Sequence, residues 1–117
     1  MPEMQDCIFC KIAGGRIKSE IVYRDDDIVA FRDINPKAPI HIIIIPQRHI
    51  ERISDIGENE ATLIAKLFLV ATKLAHGNKI MSSGYRLVIN CNKDAGQEVF
   101  HLHLHLLGGR KFAWPPG

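Results

Sequence analysis

The stretch HLHLHLLGG, residues 101–109, sets a histidine at every second position with a leucine between each pair. Strict alternation over this length is the period of a β-strand, not of a helix. It predicts a strand with His101, His103 and His105 on one face and Leu102, Leu104 and Leu106 on the other. The leucine face belongs to a core. A strand rises about 3.3 Å per residue, which puts the Cα atoms of His101 and His105 roughly 13 Å apart. Zinc holds each nitrogen at about 2.1 Å, so this spacing disfavours one ion collecting all three rings. Three imidazoles in register are also a poor packing solution, because each needs a hydrogen-bond partner or solvent. An imidazole titrates near pH 6.5, and near neutrality it can serve as nucleophile, acid or phosphate partner.

Upstream, CNKDAGQE (91–98) is rich in turn residues and leads into the histidine strand as the second arm of a hairpin. The first arm is YRLVIN (85–90). Asn90 offers an amide, and Ala95-Gly96-Gln97 offers backbone N–H groups where glycine permits close approach to an anion. An ordinary hairpin loop accounts for those turn residues equally well. Between residues 57 and 76 the period changes to that of a helix. Leu63, Leu67, Val70 and Leu74 recur three or four apart, and Ala61, Ile64 and Ala71 widen the apolar face. Gly77 stops this helix, with His76 as a cap residue in its last turn. Earlier still, IHIIIIP (40–46) is a β-branched strand ended by Pro46. IVYRDDDIVAFRDI (21–34) reads as two strands joined at Asp25-Asp26-Asp27. Phe31 and Asp33, two apart, share a face if AFRDI is a strand. CIFCKIAGG (7–15) reads as a turn or two of helix stopped by Gly14-Gly15. One long helix inserted among strands, not alternating with them, predicts an α+β domain with an antiparallel sheet.

At 117 residues the chain makes a single domain, 1–117, large enough for a hydrophobic core without disulfides. Hydrophobic residues are 46% and charged residues 24%, with a net charge of +2, too mild a balance to argue for a nucleic-acid partner. No apolar run reaches the roughly 20 residues of a membrane span. MPEMQDCIFCK has no signal-peptide character. Three cysteines, an odd number, favour a reducing cytoplasm and thiol or thiolate chemistry over disulfides. Cys7-x-x-Cys10 has a common zinc-ligand spacing. No strand precedes it, as a thioredoxin-type redox pair would require. As half a metal site it needs two more ligands, with Cys91 one candidate.

HLHLHLL resembles the signature of the histidine-triad (HIT) superfamily of nucleotide hydrolases and transferases. FRDINPKAPIHIIIIPQRHI (31–50), GYRLVIN (84–90), GQEVFHLHLHLLGGR (96–110) and the terminal WPPG extend the likeness over essentially the whole chain, closest to the Hint branch of purine nucleoside phosphoramidases. This resemblance implies a HIT fold: about five antiparallel strands, one long and one short helix, and a homodimer whose sheets continue into one another. The family pairs protomers through the long helix and a neighbouring strand, and the FAWPPG tail reaches towards the partner's active site. It implies that His103 attacks the α-phosphorus, that His105 stabilises the phosphate, and that His41 supports the triad from an adjacent strand. Asp33 would accept the ribose hydroxyls. Phe9, Ile12, Ile17, Phe31, Ile34 and Ile43 would form the slot for a purine base, though residue type alone reads each as core. Gly96, Gln97 and Glu98 would cradle the phosphate, with Asn90 nearby. Some bacterial relatives hold a structural zinc with such a cysteine pair and two histidines, by position His49 and His101 here, with no organic cofactor. A dinucleoside polyphosphate hydrolase and a nucleotide-binding regulatory module are the alternatives. A transferase is disfavoured, since HIT-like hexose-1-phosphate uridylyltransferases carry glutamine where His105 stands.

Overall fold

The isoleucine run 42–45 is buried on both sides, and that fact organises the rest of the molecule. In the computed structural model, which describes residues 6–117, Ile40–Pro46 forms strand β3 at the centre of a five-stranded sheet. Strands β1 (Ile21–Arg24), β2 (Ile28–Arg32), β4 (Tyr85–Val88) and β5 (Leu104–Gly108) complete it in the order β1-β2-β3-β5-β4. Every neighbouring pair is antiparallel. The acidic turn joins β1 to β2 as expected, with Asp25 Oδ1 accepting the N–H groups of Asp27 and Ile28, both at 2.8 Å.

Because side chains alternate across a strand, each face of the sheet has its own core. Ile28, Ala30, Ile42, Ile44, Leu104 and Leu106 face the long helix α2 (Ala61–Gly77), meeting its Leu67, Val70, Ala71 and Ala75. Val29, Phe31, Ile43 and Ile45 face the other way, against Phe9 and Ile12 of the short helix α1 (Ile8–Ala13). Burial on both faces explains why IHIIII reads as an unbroken apolar run. Cys7 caps α1, its Sγ accepting the Cys10 N–H at 3.3 Å, and Gly14 closes the helix.

Three sequence-based expectations need adjustment. The long helix starts at Ala61, not near 57, because Glu58–Glu60 forms a separate 3-10 turn in which Glu60 Oε1 accepts the Gly57 N–H at 2.6 Å. The turn-rich stretch holds a four-residue helix α3, Asn92–Ala95, ended by Gly96 at φ +84°, a left-handed conformation suited to glycine. The histidine strand begins at Leu104, so His101 and His103 lie before it. The leucines nonetheless behave as the alternation predicts, with Leu102, Leu104 and Leu106 all fully buried. The backbone leaves the ladder at His101–His103 because its polar groups are engaged elsewhere. Leu102 N–H donates to the Ile50 carbonyl at 2.6 Å, and the His101 carbonyl accepts from a side chain. At the other end of the strand, Gly109 turns the chain at φ +89° beside Pro39.

Candidate active site and metal centre

The sheet face opposite α2 carries a cleft of about 430 Å³. β3 presents His41 and Ile43 to it, and the register sets Ile43 opposite His105 on β5. Phe31 projects from β2, and Asp33 stands one residue beyond that strand. The backbone pairing nevertheless continues, since Asp33 N–H donates to the His41 carbonyl at 3.0 Å. Of the expected site residues, Phe9, Ile12, Ile17, Ile34, Asn90, Gly96, Glu98 and His103 also line the cleft. Ile34 sits at its rim, 99% exposed, so it belongs to no core.

Gln97 is not brought to the cleft. Its amide is a structural tie: Oε1 accepts the Asn92 N–H at 2.9 Å, and Nε2 donates to the carbonyls of Glu51 (2.8 Å) and Val99 (3.1 Å). The backbone N–H groups of Gly96 and Gln97 are likewise donated within the turn, to Lys93 and Asn92. Residue type gave no sign of this, because glutamine in a glycine turn suits either role. Lys18 and Lys37 line the cleft unanticipated, and each brings a cation to a place that could hold an anion.

Hydrogen-bond partners fix the ring protons. A carbonyl only accepts, so His103 Nδ1, 2.7 Å from the His101 carbonyl oxygen, carries the hydrogen. Its Nε2 then keeps a lone pair. A backbone N–H only donates, so His41 Nδ1, at 3.0 Å from Lys37 N, is the acceptor and Nε2 is protonated. That Nε2–H meets His105 Nδ1 at 2.9 Å, which in turn leaves His105 its hydrogen on Nε2. Burial holds all three rings below the ordinary histidine pKa. For His105 burial lowers it to about 4, assisted by the neighbouring His103 and His41 and opposed by Asp33. For His41 the Asp33 carboxylate opposes the effect of burial, and Lys37 adds to it. Burial thereby favours the neutral form of each ring. Phe9 meets His103 edge-on at a centroid distance of 5.1 Å, adding a steric stop to the carbonyl tether.

A second cluster lies just behind. The ligand atoms of Cys7, Cys10, His49 and His101 are within 4.8 Å of one another. His101 Nδ1 stands 3.3 Å from Cys7 Sγ and 3.5 Å from Cys10 Sγ, and His49 Nδ1 stands 3.3 Å from Cys10 Sγ. His101 Nε2 donates to the Pro46 carbonyl at 2.8 Å, so Nδ1 turns a lone pair towards the two sulfurs. Burial lowers the His101 pKa to about 4, a state suited to a neutral ligand. Four donors, two sulfur and two imidazole, match the set that zinc prefers, and a second ring nitrogen tied to a carbonyl is the usual support of a metal-bound histidine. Asp33, His41 and His105 also lie within 4.8 Å of one another. There, however, His41 turns a protonated nitrogen inward, so that ring offers the cluster no lone pair. Cys91 stands apart, its Sγ 3.4 Å from Ser54 Oγ, and no disulfide joins cysteines among the described residues.

The HIT domain family model matches residues 14–112. A purine nucleoside phosphoramidase from Escherichia coli strain K12 is 46% identical over 106 residues, covering 91% of this chain and 89% of the relative. An uncharacterized HIT-like protein of Buchnera aphidicola is 49% identical over 104 residues, covering 89% of this chain and 93% of the relative. Among solved structures, a HIT family hydrolase from Legionella pneumophila superposes with a TM-score of 0.94 at 51% identity, covering 96% of this chain and 100% of that one. A histidine triad protein from Clostridium difficile gives 0.93 at 44%, with coverage of 96% and 97%. The histidine-lined cleft, the five-stranded sheet and a family match over most of its length together make this chain a member of the HIT family.

Proposed function

We propose that the protein is a hydrolase that cleaves purine nucleoside 5′-phosphoramidates, or related adenylates, to the nucleoside monophosphate through a nucleotidyl-histidine on His103. The observation that carries this reading is the His103 Nδ1 tether to the His101 carbonyl, which leaves Nε2 as a neutral nucleophile in the cleft wall. The Nε2 lone pair forms a bond to the α-phosphorus. The P–N bond breaks, its electrons go to the departing amine, and that nitrogen takes up a proton. Water then attacks the phosphorus, the P–Nε2 bond breaks, and monophosphate leaves as the ring recovers its lone pair. One phosphoramidate and one water become one monophosphate and one amine.

His105 Nε2–H is the donor available to the phosphoryl oxygens, its tautomer set by His41. Lys18 and Lys37 also line the cleft and bring positive charge to it. Phe9, Ile12, Ile17, Phe31 and Ile43, with Ile34 at the rim, supply apolar surface for a purine. Asp33 is the carboxylate within that slot and the acceptor for ribose hydroxyls. Asn90, Gly96 and Glu98, which also line the cleft, would serve the phosphate.

Cys7, Cys10, His49 and His101 would hold zinc. When bound, the ion supplies structure, tying α1 and its cap to the residues that follow β3 and those that precede β5. Phe68 (39% exposed) and Leu69 (64%) on the outer side of α2, together with the open edge of β4, would serve a homodimer interface. Cysteines outside any disulfide suit a cytoplasmic setting. No helix among the described residues is long and apolar enough to cross a membrane.

The test is a comparison of turnover on adenosine phosphoramidate and on diadenosine polyphosphate. Faster release of AMP from the phosphoramidate supports the reading. Faster cleavage of the dinucleotide would make the protein a polyphosphate hydrolase. Tight AMP binding without turnover of either would make it a regulatory module.

A further inference from the structure

His41 Nε2 carries one hydrogen and has two acceptors. His105 Nδ1 lies at 2.9 Å and Asp33 Oδ2 at 3.4 Å. Asp33 is held in place for this by its own backbone: its N–H donates to the His41 carbonyl, and its Oδ1 accepts the Asn35 N–H at 2.8 Å. The Asp33 side chain is 17% exposed at the cleft wall, so Oδ2 is the carboxylate oxygen still open to a ligand.

We infer that Asp33 is a positioning residue for His105, acting through His41, so that engagement of the ribose hydroxyls sets the strength of the phosphate-side hydrogen bond. This rests on the reading of Asp33 as the ribose acceptor. With the cleft empty, Oδ2 draws on the His41 hydrogen and its charge favours protonation of both neighbouring rings. Two hydroxyls donating to the carboxylate satisfy its oxygens and weaken its pull. The His41 hydrogen then goes wholly to His105 Nδ1, fixing the tautomer that directs Nε2–H at the phosphate. Lys37, the other charged residue acting on His41, is joined to the ring through its backbone N–H and is unaffected by the ribose. Nucleoside recognition at one end of the cleft is thereby felt at the phosphorus. No proton leaves the pair in this step; one hydrogen bond strengthens as another weakens.

The experiment pairs kinetics with nitrogen NMR on the full-length protein carrying labelled histidine. The probes are AMP and 2′,3′-dideoxy-AMP for binding, and the corresponding phosphoramidates for turnover. The expected kcat is lower for the dideoxy substrate by about three- to tenfold, the worth of one net hydrogen bond. The nitrogen–nitrogen coupling between His41 Nε2 and His105 Nδ1 should grow with AMP and stay unchanged with saturating dideoxy-AMP. In Asp33→Ala the coupling should be large without ligand, and the two substrates should give kcat values within about twofold, a difference too small for one hydrogen bond. If both monophosphates bind and give the same coupling, and the substrates differ only in KM, Asp33 is a recognition residue alone and the inference is overturned while the functional reading stands. If neither monophosphate binds in the cleft, the functional reading fails and takes the inference with it.

Discussion

The carbonyl oxygen of His101 lies 2.7 Å from Nδ1 of His103, while the ring of His101 turns away to meet Cys7 Sγ at 3.3 Å. One residue therefore joins the candidate metal centre to the candidate nucleophile, by its side chain on one side and its backbone on the other. Fixing the His101 ring fixes the peptide that holds the His103 ring. This is how a buried ion that takes no part in chemistry would still govern the aim of the reacting nitrogen.

Replacing His103 with alanine should abolish turnover and leave AMP binding within roughly tenfold, about 1.4 kcal/mol. Calorimetric titration beside a steady-state assay checks both halves. A variant turning over near the wild-type rate would rule out the covalent route. Loss of binding as well would assign His103 a part in ground-state recognition.

Metal analysis of protein purified without chelator should find one zinc per chain, and Cys7→Ser and Cys10→Ser should each lose it. Thermal unfolding of those variants should fall by more than about 5 °C, corresponding to upwards of about 1 kcal/mol. Their kcat should change less than their stability. A metal-free wild-type protein of full stability would show the cysteines to be buried thiols only.

The pH dependence follows from burial of the rings. His41 and His105 have folded pKa values below the unfolded value near 6.5, with His105 at about 4. Between those limits the unfolded chain binds more protons, so stability is full above about pH 6.5 and falls as the solution is acidified towards about pH 4. The acid limb of kcat/KM should lie below the ordinary histidine value near 6.5. Urea titrations at several pH values and a pH–rate profile test this. An acid limb at pH 6.5 would contradict it.

A dimer through α2 and the β4 edge predicts that Leu69→Glu yields a monomer, because a charge would enter an apolar contact. Sedimentation at micromolar concentration measures it. A wild-type chain that sediments as a stable monomer would dispose of the interface. The tail beyond β5 has its own anchor. The guanidinium carbons of Arg86 and Arg110 lie 5.1 and 4.2 Å from the centroid of the Phe112 ring, and Arg86 donates to the Ala113 carbonyl at 3.0 Å. Trp114 stays 82% exposed, consistent with surface kept for a partner.

The sheet and its two faces were legible because period-2 patterning is a direct imprint of burial, as Leu102, Leu104 and Leu106 show. The metal-ligating potential of Cys7, Cys10, His49 and His101 came from spacing and resemblance. Two kinds of information were not legible. Residue type does not reveal which backbone groups a side chain will meet, so the Pro46 carbonyl and the Lys37 N–H, which set the tautomers of His101 and His41, had no signature. Nor does alternation reveal where a strand stops pairing. The alternation predicts a continuous strand over all three histidines, yet Leu102 bonds to Ile50 outside the ladder, and this is what frees the His101 carbonyl for His103.

The central claim is a covalent bond between His103 and the nucleotide. Enzyme mixed with adenosine phosphoramidate, quenched within the first turnovers and digested under conditions that preserve phosphorus–nitrogen bonds, should yield by mass spectrometry one adenylyl group on the peptide containing 101–109, mapped to His103. Turnover with no such adduct, or an adduct that maps to His105, would contradict the account.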